Sequence, residues 1–331
     1  MEHELEPTTP MRVRILINAN AKAVRYGRIP IELFNRYLSD RVSLRITEAV
    51  DQIDDAINEC WESDQQVVLL ATGDGGLHRF LSSFVKVYGQ RHLEGGALKP
   101  LPVFATLRTG TANLITGLLG VKGKPIIAMQ RLFDRLYEVR STADLPLIKQ
   151  KLLAVSDGIQ ERFGFIAGTG LLYNFFLEYY QGTRHSLLKF FKIFSRMLLS
   201  LFTGTGYLNR LLTSMEARLQ LDERRSRLSQ WKMMAVSTVE TRVVFFRAFK
   251  LDRLAEKVHV KAGNPSRLAI MRNLPNLLLN RSLKGRELLD QLARRVHYER
   301  ETEFGYTIDG ELYNACSLTL QAGPEVCFVR L

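Results

Sequence analysis

Three short motifs carry residue types that could do chemistry. The first is Thr72-Gly73-Asp74-Gly75-Gly76. It follows the apolar run QQVVLLAT (65–72) and precedes LHRFLSSFVKVYG, so it reads as a glycine turn between a buried strand and a helix. Glycine lets the backbone approach a phosphate closely. A helix start offers free N–H groups and the positive end of a dipole. Asp74 adds a carboxylate that can orient Mg²⁺ or meet a transferring group. An ordinary tight turn would look the same. The second motif is Gly110-Thr111-Ala112-Asn113, again after a strand and before a helix. It offers N–H, hydroxyl and amide donors. Each motif alone is weak. Two of them at the carboxyl ends of adjacent strands mark the place where ligands bind in open α/β sheets. The third is Asp309-Gly310-Glu311, two carboxylates around one glycine in a hairpin-like turn. Asp-Gly is common in hairpins, but a carboxylate beside a bound nucleotide can also act as a general base.

These motifs need a frame. Residues 1–11 read as a loose tail. VRILIN (13–18), VSLRIT (42–47), QQVVLLAT (65–72) and LPVFATL (101–107) read as strands. Helical stretches IELFNRYLSD, AVDQIDDAINECWES, LHRFLSSFVKVYG and LITGLLG alternate with them. That alternation gives an α/β domain with a mostly parallel, Rossmann-like sheet over residues 12–140. The pattern then changes. EVRSTADLP, LLAVSDGI, ERFGFIAG, WKMMAVSTVETRVVFF, KVHVKAG and SRLAIMR are strand-like and follow one another. Residues 141–331 therefore read as a β-rich, antiparallel, sandwich-like domain. A helical insertion interrupts it over about 171–227. The final stretch from Glu303 reads strand, turn, strand, turn, strand, with the extreme C-terminus returning to the first domain. No internal repeat is visible.

Lys and Arg number 46 against 34 Asp and Glu, a net charge of +12. That favours anionic partners or simply solubility. No nucleic-acid motif is present, and the aromatics do not interleave with basic residues as a stacking platform would. Cys60, Cys316 and Cys327 fit no disulfide or zinc spacing and read as free thiols in a reducing compartment. The acidic start MEHELEPTTP has no apolar run, and no uncharged stretch is long enough to span a bilayer. The chain is expected to be cytoplasmic and at most peripherally attached to a membrane. SLLKFFKIFSRMLLSLF (186–202) places Lys189, Lys192 and Arg196 on one narrow stripe of an otherwise apolar helix. This suits a helix in a membrane interface or one buried against the β-rich domain with its lysine tips in water. ERRSRLSQWK reads as a solvated face or linker, or as a place where Arg224, Arg225 and Arg227 meet lipid phosphates. His185, His259 and His297 lack partners at metal-ligand spacing.

In their order along the chain, the motifs resemble the diacylglycerol kinase catalytic family, which includes bacterial lipid kinases, sphingosine kinases and ceramide kinases. The family pattern is an early N-P-x-x-G loop, then G-G-D-G-T, then P-x-G-T-x-N, then D-G-E. The counterparts here are Asn18-Ala19-Asn20-Ala21-Lys22, Thr72 to Gly76, Arg108 to Asn113, and Asp309 to Glu311. Thr47 matches a threonine at the end of the second strand. Gly168 and Gly170 match a later G-x-G element. The chain departs from the pattern at Ala19, Lys22, Gly76, Arg79, Arg108 and Leu114, and Leu172 and Asn174 stand where an acidic residue usually follows the G-x-G.

The resemblance implies an ATP- and Mg²⁺-dependent lipid kinase acting on a lipid hydroxyl such as that of diacylglycerol or a sphingoid-type lipid. It implies an α/β nucleotide domain, a β-rich lipid domain and ATP in the cleft. Residues Asn18, Ala19, Asn20, Ala21 and Lys22, Thr47, Gly73, Asp74, Gly75, Gly76, Leu77, His78, Arg79, Gly110, Thr111 and Asn113 would line the nucleotide. Glu311 would accept the hydroxyl proton, with Asp309 and Asp74 organising Mg²⁺ and phosphates. A further metal site would fall at Phe249, Asp252 and Leu254. The expected partners are a lipid substrate and an anionic membrane surface, with a homodimer left open. Two alternatives stand beside this reading: a non-catalytic lipid-binding protein on the same fold, and a soluble NAD kinase-like enzyme.

Overall fold

Alternating apolar runs and amphipathic stretches build the first half of the molecule as the sequence suggests. The computed structural model describes residues 11–94, 99–110, 113–182, 186–240, 242–243, 246–247, 249, 256–279 and 281–331. The chain forms two units: Met1–Gln150 with Val326–Leu331, and Lys151–Glu325.

In the first unit, strands β1 (Val13–Asn18), β2 (Val42–Thr47), β3 (Val67–Ala71) and β4 (Val103–Thr106) are parallel, in the order β4-β3-β1-β2. Every residue of β3 is buried, as expected of a strand covered on both faces. Helices α1 (Lys22–Arg25) and α2 (Glu32–Asn35) are single turns, so IELFNRYLSD contributes far less helix than its pattern suggests. In α3 (Gln52–Glu62), Ile53, Ala56, Ile57, Cys60 and Trp61 are buried at i, i+3, i+4, i+7 and i+8. The helices α4 (Asp74–Leu93), α5 (Leu114–Leu118) and α6 (Pro125–Glu138) complete the layers. EVRSTADLP does not form a strand. Ser141 caps a short 3₁₀ turn, Thr142–Asp144, through a reciprocal capping box.

The second unit is mainly antiparallel. It contains β5 (Leu147–Ser156) from Lys151 on, β6 (Glu161–Gly164), β7 (Ile166–Gly170), the helices α7 (Leu171–Tyr180), α8 (Leu187–Thr203) and α9 (Tyr207–Leu211), and then strands again. These are β8 (Met215–Glu216), β9 (Arg218–Leu221), β10 (Arg224–Arg225), β11 (Gln230–Trp231), β12 (Met233–Ser237), β13 (Arg242–Val243), β14 (Phe246–Arg247), β15 (Val258–Gly263) and β16 (Leu288–Ala293), closed by β17 (Arg295–Ile308) and β18 (Glu311–Val329). The main order is β16-β15-β12-β7-β17-β18. Leu219, Trp231, Met234, Val260, Tyr298, Tyr306 and Leu318 form its core. The end of β18 belongs to the first unit, where Phe328 pairs in parallel with Phe104.

Three expectations change here. The helical insertion ends at Leu211, and the stretch read as a linker forms a hairpin in which Arg224 and Arg225 pair with Leu221 and Gln220. SRLAIMR is the start of helix α10 (Arg267–Leu278), capped by Ser266 Oγ accepting from Ala269 N. Its Ile270, Met271 and Leu274 pack beside Leu201, Leu208 and Leu212, a helical spacing rather than an alternating one. The turn expected near Gly323-Pro324 is absent, because β18 runs straight on beside β5. A side chain at Gly323 would sit 3.1 Å from the Leu152 carbonyl oxygen, so glycine eases the close approach of the two backbones. All three cysteines are free.

Candidate functional site

At the carboxyl edge of the parallel sheet the loops after β1, β2, β3 and β4 interlock. Asn18 ends β1 and Thr47 ends β2. Ala19 N donates to the Thr47 carbonyl oxygen at 3.0 Å, and the buried Thr47 hydroxyl donates to the Ile17 carbonyl oxygen at 3.3 Å. Asn18 Oδ1 accepts from Asn20 N at 2.9 Å, and Asn20 Nδ2 donates to the Glu48 carbonyl oxygen at 2.7 Å. Ala21 is buried. Lys22 begins the single-turn α1, and Ala23 N donates to the Thr109 carbonyl oxygen at 3.0 Å. The early loop is thus tied to the loop after β4.

The glycine turn after β3 is shorter than expected, because helix α4 already begins at Asp74 with Gly73 as its cap residue. Leu77 N donates to the Gly73 carbonyl oxygen at 2.8 Å, closing the first turn. Asp74, Gly75 and Gly76 are therefore the first residues of the helix, where N–H groups have no partner within the helix and a negative charge is favoured. Leu77 and His78 lie further along with buried side chains, and Arg79 is half-buried.

The two glycine motifs meet. A Cβ on Gly110 would lie 2.7 Å from Gly73 Cα and 3.4 Å from Asp74 N. Any side chain there would collide with backbone, so glycine is required for the approach. The second turn is held by its own asparagine. Gly110 N donates to Asn113 Oδ1, and Asn113 Nδ2 donates back to the Gly110 carbonyl oxygen, both at 3.0 Å. Asn113 adopts φ 51°, left-handed, as the residue before α5. Thr111 lies outside the described residues.

In the second unit, Asp309 and Gly310 form the turn between β17 and β18, with φ of 49° and 96°. The Asp309 carboxylate accepts from Phe165 N at 3.0 Å and Ile166 N at 2.9 Å. Its own N–H donates to the Ile166 carbonyl oxygen at 2.9 Å. A Cβ on Gly164 would come within 2.6 Å of Asp309 Oδ2. The carboxylate thus clamps the β17–β18 turn to the β6–β7 corner. Glu311, half-buried, opens β18 opposite Ile308. Helix α7 lies across the same hairpin: a Cβ on Gly305 would strike the Tyr173 ring at 2.0 Å, and one on Gly310 would meet Phe176 at 3.1 Å. The G-x-G element works in the same way. A Cβ on Gly168 would lie 2.4 Å from the Met234 carbonyl oxygen, and one on Gly170 2.2 Å from that of Lys232.

Sequence reasoning missed two polar clusters of this unit. Arg162 donates to Asp157 Oδ2 and, at 2.9 Å, to the Tyr306 hydroxyl. Burial disfavours the charged form of Asp157, but the Gln160 and Ile159 N–H groups and the Arg162 guanidinium outweigh it and hold its carboxyl below the usual range. Asp290 accepts from His259 Nε2 at 2.6 Å, from Lys261 and from Leu283 N at 2.7 Å. Burial opposes its charge too, yet these donors lower it to about 2. His259 and Lys261 lie far from Asp290 in sequence, as Tyr306 does from Arg162, and so gave no local signal. Phe249 is buried with its ring edge-on to His259 at 5.5 Å. Asp252 and Leu254 lie outside the described residues. Among the described residues no cluster of three or more His, Cys, Asp or Glu could hold a metal, and no helix is long and apolar enough to cross a membrane.

With this geometry in hand, solved structures give the class of fold. A candidate diacylglycerol kinase from Bacillus anthracis str. Sterne superposes with a TM-score of 0.63 at 13% identity, over 97% of this chain and 98% of that chain. A diacylglycerol kinase of the same organism gives 0.59 at 14% identity, over 96% of each chain. A third, again a candidate diacylglycerol kinase of that strain, gives 0.63 at 14% over 97% of each. The chain therefore has the fold of the diacylglycerol kinase catalytic family. No family model matches the sequence, and no curated protein matches it.

Proposed function

We propose that this chain is a lipid kinase that transfers a phosphoryl group from ATP to a hydroxyl of a membrane lipid. The observation that carries the reading is the backbone contact of Gly73 with Gly110 at the start of α4. It sets the N-terminus of α4 against a second glycine loop, a setting that suits a phosphate chain. Phosphoryl transfer needs little covalent work from the protein and depends on positioning and charge neutralisation. In this reading Asp74, the first residue of α4, would hold Mg²⁺, and the ion would neutralise phosphate charge. The Asp309 carboxylate accepts two backbone N–H groups, which fixes its turn. Its work in this reading is to position Glu311, which accepts the proton of the lipid hydroxyl.

An anionic bilayer surface is the partner this reading requires, and α8 suits it. Leu188, Phe191, Leu199 and Phe202 are exposed and share one stripe at helical spacing, beside the stripe of Lys189, Lys192 and Arg196. Phe190, Ile193 and Leu201 cover the opposite, buried face. Helix α10 extends the patch. Arg267 binds the Leu201 and Phe202 carbonyl oxygens at the end of α8, and Leu268, Leu278 and Leu279 are exposed. No acidic residue occurs from Leu187 to Ser214 or from Pro265 to Arg286. A surface both apolar and purely basic matches acidic headgroups over acyl chains.

The test is transfer of labelled phosphate from ATP to extracted lipids. Glu311→Gln is expected to lower turnover by about 10²–10⁴ with ATP affinity and melting temperature retained. Wild-type turnover in that variant would remove Glu311 from the chemistry. ATP binding by the wild type with no labelled lipid would favour the non-catalytic lipid-binding alternative.

A further inference from the structure

The turn after β3 reads Thr72-Gly73-Asp74-Gly75-Gly76, where the pattern it resembles has glycine first and threonine last. The structure gives this reversal a physical meaning. A Cβ built on Gly76 would lie 1.8 Å from Thr72 Oγ1 and 3.2 Å from Thr72 Cβ. The Thr72 side chain therefore already fills the space that a side chain at 76 would need. It cannot easily yield, because Thr72 is fully buried and β-branched, with few rotamers available. The same phantom Cβ would stand 3.1 Å from Asn18 Nδ2. Asn18 Nδ2 in turn makes a long hydrogen bond, 3.5 Å, to Thr72 Oγ1. From Asn18 the polar chain continues through Asn20 to the Glu48 carbonyl oxygen.

We infer that Thr72 and Gly76 are an exchanged pair. One hydroxyl serves one place beside Asn18, and in this chain it is supplied from the strand end rather than from the helix. Thr72 is then a positioning residue. It orders the Asn18–Lys22 loop without itself reaching solvent. Two consequences follow. Residue 76 must be glycine for as long as residue 72 is threonine. The pair can also be reversed together but not singly. This assignment rests on the nucleotide reading only for its effect on ATP, and the packing part stands without it.

The experiment is a mutant cycle on the full chain, read by melting temperature and by the dissociation constant for ATP in the presence of Mg²⁺. Gly76→Thr alone overpacks the site and should lower the melting temperature by about 4 °C or more. The double variant Thr72→Gly/Gly76→Thr should recover most of that loss, a coupling expected only of residues that share one space. Because Gly76→Thr could fail to fold, Thr72→Val and Thr72→Ser are measured as well. Valine keeps the shape and removes the hydroxyl; it should fold normally and weaken ATP binding by about fivefold or more, on the order of one lost hydrogen bond. Serine keeps the hydroxyl and should bind ATP within about twofold of the wild type. A Gly76→Thr variant as stable as the wild type, or a double variant no better than the worse single one, would overturn the exchange. Equal ATP affinity in the valine and serine variants would overturn the positioning role. If the wild type binds no ATP at all, the nucleotide reading falls, and the melting temperatures still decide the packing claim.

Discussion

The Asp74 turn and the Asp309 turn look alike in sequence, an acidic residue beside glycine, and are built in opposite ways. At Asp74 the backbone does the work. Gly73 and Gly110 approach through main-chain atoms, and Asp74, after Gly73, begins a helix. At Asp309 the side chain does the work, binding the N–H groups of Phe165 and Ile166 while the backbone turns through φ 49°. The contrast extends to the units that carry them. In the second unit Asp157, Asp290 and Asp309 each bind several donors and hold loops in place. An acidic residue next to glycine can therefore mean a ligand site or a structural clamp. What marks the clamp is that the N–H groups of Phe165 and Ile166 occupy its carboxylate.

The largest effect that would sharpen this contrast is on Asp309. Asp309→Ala leaves two backbone donors without their acceptor and should cost about 3 kcal/mol of stability, measured as a lower urea midpoint at unchanged slope. Glu311→Gln, two residues away, should leave that midpoint in place. A loss below about 0.5 kcal/mol for Asp309→Ala would mean that its contacts are incidental. A middle effect belongs to Asp290. Its folded-state value near 2 lies below the ordinary carboxyl value of about 3.9. The stability it contributes is complete above about pH 4 and is lost as the pH falls toward 2. An acid titration of stability should show that loss, of order 2 kcal/mol, in the wild type and not in Asp290→Asn. Identical acid profiles would break the claim. The smallest effect on stability is expected at the α8 surface. Leu188→Ser with Phe191→Ser should change stability by no more than about 0.5 kcal/mol per site and yet reduce sedimentation with anionic vesicles. Unchanged sedimentation would take the bilayer away from this face.

Much of the first unit was legible because its signals are local. VRILIN and VSLRIT match β1 and β2 residue for residue, and the glycine motifs lie where two strands end. The sequence pattern starts α4 too late because glycine is a poor helix former, yet Gly75 and Gly76 lie in its first turn. In the second unit the deciding partners are remote. Apolar residues of SRLAIMR fit a strand by composition, and only their burial against α8 and α9 makes them a helix. Gly323-Pro324 looks like a turn until β5 lies alongside. The role of Asp309 depends on Phe165 and Ile166, far back in the chain and invisible to any local motif.

The central claim is that the two glycine loops of the first unit hold one nucleotide. Hydrogen exchange of the wild type with and without Mg²⁺ and ATP tests it most directly. The account predicts slower exchange on ATP addition in peptides covering 71–80 and 105–113 together, and no change across Val258–Ala293. Slowing in neither loop, or protection confined to the second unit, would contradict it.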